Sequence, residues 1–156
     1  MFFKKYFLHE RRTREIISLD KQIVKHLNGK DINALCIKRR CNTPPAAKEV
    51  FQLMWGLSPT LNSMSTAIHA GLFMSAVCTS YGIKHRCFLG REYAPPGRAA
   101  KYYSWIEQQG EVISTGRNIS VEFEPLFELI WKEAAEAEVT AKKKEHFYPT
   151  WKAVFK

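Results

Sequence analysis

The fold turns on the stretch Ser65-Thr66-Ala67-Ile68-His69-Ala70-Gly71-Leu72-Phe73-Met74-Ser75-Ala76-Val77-Cys78-Thr79-Ser80-Tyr81-Gly82-Ile83. Ser65 or Thr66 supplies a side-chain oxygen for a helix N-cap, and Gly82 sits where a helix running through Tyr81 needs a terminator. Between them nearly every residue is apolar or small. A helix that is apolar all round has no solvent face and is buried. Its small residues let neighbouring backbones approach closely, so the sequence predicts a central helix with a sheet folded against it.

Downstream, Ile83 to Leu89 alternates as a strand, with Ile83, His85, Cys87 and Leu89 on one face. A loop from Arg91 to Lys101 carries Pro95-Pro96-Gly97 and precedes a second strand, Tyr102 to Gln108. Gln109-Gly110 reads as a tight turn into a third strand, Glu111 to Ser114. Glu124-Pro125 then predicts a long final helix to about Lys144, rich in Glu, Ala and Lys. The tail keeps Phe147, Tyr148, Trp151 and Phe155, aromatic enough to pack back onto the domain.

Upstream, Ile16, Ile23 and Leu27 form a stripe on a helix over 13–28, and Gly29 follows as its stop. Asp31 is placed to cap a short helix through Ile37. Thr43-Pro44-Pro45 predicts the start of a third helix, running to about Trp55 and ended by Gly56. The expected class is α+β. One domain over 1–156 is expected, with a helical part over 1–58, a core over 60–120 and a C-terminal helix and tail over 121–156.

The composition, 46% hydrophobic and 25% charged over 156 residues, is that of a globular chain with a real core. No apolar run approaches the roughly 20 residues that span a bilayer, so no membrane partner is expected. The start, Met1 to Leu8, is apolar only until His9-Glu10-Arg11-Arg12 and does not read as a secretory signal. Cytoplasmic residence is the expectation. Cys36, Cys41, Cys78 and Cys87 are then free thiols. Cys36, Cys41 and His26 do not have the spacing of a zinc knuckle, so no metal and no cofactor is expected. The net charge of +9 gathers at Lys4, Lys5, Arg11, Arg12 and Arg14, at Lys38-Arg39-Arg40 and at Lys142-Lys143-Lys144. Such clusters suit either a solvated surface or sequence-independent contact with nucleic-acid phosphates.

The run Ser80-Tyr81-Gly82-Ile83-Lys84-His85-Arg86, then Leu89-Gly90, Tyr103-Ser104-Trp105-Ile106-Glu107 and Gly110-Glu111-Val112-Ile113 resembles the transglutaminase-like (papain-like) superfamily. It is closest in flavour to the leader-peptide-cleaving proteins of lasso-peptide maturation. In that family the same stretches read roughly Gly-Ile-Pro-Ala-Arg, His-Ala-Trp-Val-Glu and Gly-x-Val-Leu. The match covers about residues 60 to 120.

The resemblance implies a cysteine at the head of the central helix, where the helix dipole lowers its pKa. It also implies a histidine base on the second strand and an orienting residue on the third. Here those places fall on Ala67, Tyr103 and Ser114 or Thr115. Alanine carries no nucleophile, and tyrosine is a poor base near neutrality. The expectation is a domain without the family's chemistry that binds a peptide or protein partner. The groove would be formed by Ser65, Thr66, Tyr103 and Trp105, with Arg91 and Arg98 overhanging it. Two rivals remain. One is an active acyl-transfer or amide-cleaving enzyme using Cys87 or Ser65 with His85 or His69. The other is a nucleic-acid-binding protein using the basic clusters. Cys78, near the end of the central helix, reads as a core residue, and oligomeric state is left open.

Overall fold

The computed structural model describes residues 2–29, 31–93, 96–133 and 146–154. Among these it is mixed α+β: four α-helices and one six-stranded antiparallel sheet. Helix α1 spans Phe2–Asn28 and buries Ile16 and Ile23 of the predicted stripe together with Leu19, while Leu27 is only partly buried; it begins eleven residues before the predicted start at 13. The residues after it do not form the second helix expected from Asp31 to Ile37. Asp31 makes no side-chain cap bond, and only a single 3-10 turn, Ile32–Ala34, follows. Leu35 and Ile37 then point inward at a spacing of two, and Ile37–Lys38 form the short strand β1.

Helix α2, Ala47–Leu57, starts past Pro44-Pro45 on an uncapped Ala46 and runs through Gly56 into a 3-10 turn. Helix α3, Ala67–Ser80, matches the expectation closely. Thr66 Oγ1 accepts the His69 N–H at 3.3 Å, and ten successive residues, Gly71–Ser80, are buried. At its end Gly82 takes φ +70°, and the Ile83 N–H donates to Cys78 O at 2.8 Å, closing the helix on a left-handed glycine.

Strands β2 (Arg86–Glu92) and β3 (Tyr102–Gln108) pair in antiparallel register, Cys87 opposite Ile106 and Leu89 opposite Ser104. Gln109 and Gly110, both at positive φ (52° and 82°), turn β3 into β4, Glu111–Val112. A short helix α4, Ile119–Glu122, crosses to the far face of the sheet.

The predicted C-terminal helix is overturned over 124–133. Phe123–Glu133 is an eleven-residue strand, β5, and His146–Ala153 returns beside it as β6. The strand order is β1-β6-β5-β2-β3-β4. Leu129 is buried and Trp131, two residues on, packs on the main core and donates from Nε1 to Ser75 of α3, so this face of the strand lies against the helix. Pro125 sits where the β2–β5 register shifts, a place that tolerates a missing N–H. The Glu/Ala/Lys composition that suggested a helix belongs mainly to 134–145, outside the described residues. The tail does pack back, Trp151 against the main core; Phe155 also lies outside the described residues.

The sheet separates two apolar clusters. Leu72, Phe73, Val77, Cys87, Ile106 and Leu129 belong to the large one between the helices and the sheet. Phe88, Trp105, Ile119 and Phe123 form the smaller one on the outer face. Two carboxylates, Asp20 buried and Glu15 partly so, tie α1 to the α3 region. Asp20 accepts the N–H groups of Asn62 and Ser63 at 3.1 and 2.8 Å, anchoring the turn that leads into α3. Glu15 accepts the Tyr81 hydroxyl at 2.6 Å at the other end of that helix.

Candidate functional site

The head of α3 opens into a cleft of about 310 Å³ between α3, β3 and the segment after β4. Ala67, Ala70 and Met74 line it from one face of α3, and Met64, Ser65 and Thr66 from the turn before it. Tyr102, Tyr103 and Ser104 supply the β3 side; Ser114 and Trp55 complete the wall. Trp55 and Ser114 also border a second depression of about 680 Å³ that runs along α2 past Phe51 to Lys48.

The closest contact is between α3 and β3. Ser104 Oγ donates to Ala67 O. A Cβ on Gly71 would lie 2.6 Å from that Oγ and 2.8 Å from Ser104 Cβ, so only glycine allows the helix this near the strand. Ser114 is buried, and its Oγ accepts the Ile106 N–H at 2.9 Å. Ile113 N–H donates to Ile106 O at 2.9 Å. Ile106 therefore turns its backbone groups to the β4 side, and the alternation of antiparallel bonding turns those of Ser104 and Tyr102 the same way. Beyond Val112 no strand among the described residues pairs with that edge. The floor of the cleft is thus a strand edge with outward backbone donors and acceptors, set against the positive end of a helix.

Ala67 and Ser114, two of the positions the resemblance named, both line the cleft, and Ser65 and Thr66 stand at its rim. Tyr103 does not join them with its ring. Strand parity puts its side chain on the outer face, stacked on Phe123 (centroids 5.2 Å apart) beneath the Arg117 guanidinium. The side chain that β3 aims at the head of α3 is Ser104. Trp105 is likewise on the outer face, stacked on Phe88 and donating from Nε1 to Glu107, so it is not part of the groove. Arg91 and Arg98 do not overhang the cleft either. Arg98 forms a two-pronged pair with Glu92 at 2.7 Å and Arg91 faces Glu124 at 3.9 Å, near the end of β2.

The fallback residues lie elsewhere. Cys87 is fully buried and donates to Gly71 O at 3.4 Å, and burial pushes its thiol pKa up. Cys78 is also buried, its thiol pushed up to about 12. Neither forms a thiolate near neutrality. His85 uses both ring nitrogens away from Cys87. Its Nδ1 faces the Ile83 carbonyl at 2.8 Å, which can only accept, so Nδ1 carries the proton. Ser75 O–H then donates to Nε2 at 2.6 Å, and Trp131 Nε1–H donates to Ser75 Oγ at 2.7 Å. Burial lowers the His85 pKa and keeps the ring neutral. His69 is half-buried and does not line the cleft.

The basic clusters are partly neutralised. Arg11 pairs with Glu15 and Arg12 with Glu49, while Arg39 lies over the Phe147 ring. Lys142-Lys143-Lys144 falls outside the described residues. No group of three His, Cys, Asp or Glu among the described residues is arranged to hold a metal. Cys41 donates to Tyr81 O, and His26 Nδ1 faces Asp31 O.

No family model, curated protein or solved structure matches this chain.

The residues missed in the sequence were Trp55, Met64, Ala70, Met74 and Ser104. A signal for Ser104 was present. If Ile106 faces the central helix, residues two and four back along the strand do so as well, and Gly71 needs a small partner such as Ser104.

Proposed function

We propose that this chain is a transglutaminase-like domain without the family's chemistry, and that the cleft at the head of α3 binds an extended peptide. The observation that carries the reading is the make-up of the cleft. It combines an unpaired strand edge, an apolar wall of Trp55, Ala67, Ala70 and Met74, and hydroxyls, with no thiol, imidazole, carboxylate or amine in its lining. A peptide strand laid along Tyr102 and Ser104 would extend the sheet where β4 stops. Main-chain hydrogen bonds then supply affinity, and alternate side chains enter the apolar wall for selectivity. Binding uses these groups, whereas bond cleavage would need a nucleophile and a base that the lining does not offer.

The order of elements supports the family reading: a buried helix, then antiparallel strands, with Ala67 at the helix head and Ser114 across from it. The rival thiol enzyme is disfavoured by the burial of Cys87 and by the engagement of His85 with Ser75.

The test is selection of displayed random peptides on the folded chain, followed by affinity measurement against wild type and Ala70→Trp. The expected result is enrichment of a short apolar motif whose binding the tryptophan abolishes, because it fills the cleft. Selected peptides that bind the Ala70→Trp protein unchanged would show that recognition lies elsewhere.

A further inference from the structure

We propose that the first turns of α1 are a docking surface for an anionic lipid bilayer, on which this helix lies flat. Every residue from Phe3 to Arg11 is exposed, so about two and a half turns of α1 stand clear of the body. That segment is not polar. Phe3 is 79% exposed, Tyr6 65% and Phe7 63%, and the Tyr6 and Phe7 rings meet edge to face 6.2 Å apart. At 100° per residue these three rings share one side of the helix, roughly 160° round from Ile16, Leu19 and Ile23, which dock on the core. The aromatic side therefore faces away from the body, and no described residue outside α1 covers it.

Charge selects the occupant. From Phe3 to Arg14 the helix carries Lys4, Lys5, Arg11, Arg12 and Arg14 against a single acid, Glu10. Arg11 and Arg12 are held by Glu15 and Glu49. Lys4, Lys5 and Arg14 form no ion pair among the described residues. Aromatic rings flanked by lysines match the boundary between lipid headgroups and acyl chains. There the rings enter the apolar layer and the ammonium groups meet anionic headgroups. A nucleic-acid backbone would use the lysines but leave the phenylalanines in water. No described helix is long and apolar enough to cross a membrane, so the contact is with the surface.

The experiment is flotation of the full chain with vesicles of phosphatidylcholine alone, or of phosphatidylcholine doped with phosphatidylserine. Wild type is expected to float with the doped vesicles only. Phe3→Ser combined with Phe7→Ser should weaken partitioning more than tenfold. Lys4→Glu combined with Lys5→Glu should weaken it by at least fivefold per charge. Thermal unfolding should be unchanged in both, since these side chains touch nothing in the core. A Phe7→Trp reporter gives a reading independent of variant folding: its emission should shift to the blue on doped vesicles. The proposal is overturned if wild type does not float with doped vesicles, or if the phenylalanine pair is dispensable. It is overturned equally if a single-stranded oligonucleotide competes with the vesicles and its binding depends on the lysines alone.

Discussion

Gly71→Ala adds one methyl group at the closest approach of α3 to β3. The new Cβ would stand 2.6 Å from Ser104 Oγ and 2.8 Å from Ser104 Cβ. Neither atom can retreat easily. Oγ is held by its bond to Ala67 O, and Cβ is fixed to the backbone of a strand paired with β2. Overpacking of this kind costs about 1–3 kcal/mol, and the rigid surroundings argue for the upper half of that range. Replacing a helical glycine by alanine returns about 1 kcal/mol. The net is a destabilisation of about 1–2 kcal/mol. For a chain of this size that lowers Tm by roughly 3–6 °C. Calorimetry or urea melts of four proteins test it: wild type, Gly71→Ala, Ser104→Gly and the double variant. In the Ser104→Gly background both clashing atoms are gone, so Gly71→Ala should become neutral or stabilising. If Gly71→Ala is harmless in wild type, or equally harmful in both backgrounds, the helix and strand do not meet as described.

Three further outcomes follow from particular contacts. Asp20→Ala removes the acceptor for the Asn62 and Ser63 N–H groups and should cost about 2–3 kcal/mol, with faster hydrogen exchange confined first to residues 62–65. His85 is neutral in the folded chain with a pKa below its unfolded value, so the unfolded chain takes up the proton first as pH falls. The stability it lends is present above about pH 6.5 and is lost on acidification; urea midpoints between pH 8 and 5 should fall, and His85→Gln should flatten that part of the slope. Ala67→Cys should create a thiol at the head of α3 that iodoacetamide alkylates faster than a free cysteine at pH 7.

Local chemistry made much of the fold legible in the sequence. The cap at Thr66, the stop at Gly82 and the Gln109-Gly110 turn are short-range signals, and each is found where the residues placed it. The C-terminal half was not legible in the same way. Glu124-Pro125 has the chemistry of a helix start, but Pro125 instead sits at a bulge, and β5 is stabilised by β2 and β6, through pairs that run from Glu133 with Phe147, 14 residues apart, to Cys87 with Leu129, 42 apart. Local propensity carries no information about such pairing.

The site shows the same division. Ala67 and Ser114 or Thr115 were named through the resemblance, Ala67 by counting back from Gly82 along the helix. Tyr103 was chosen by aligning Trp105, yet both rings point to the outer face, because β3 is oriented by Ile106 in the core and by Ser104 against Gly71. A one-residue change of parity moves a side chain to the opposite side of a sheet.

The most direct test of the peptide cleft is amide hydrogen exchange at Tyr102 and Ser104, measured with and without a selected peptide. Strand addition along the free edge of β3 predicts slow exchange at both amides only in the complex, with Tyr103 and Trp105, already turned toward β2, unchanged. Protection that appears elsewhere while Tyr102 and Ser104 exchange as before would contradict the account.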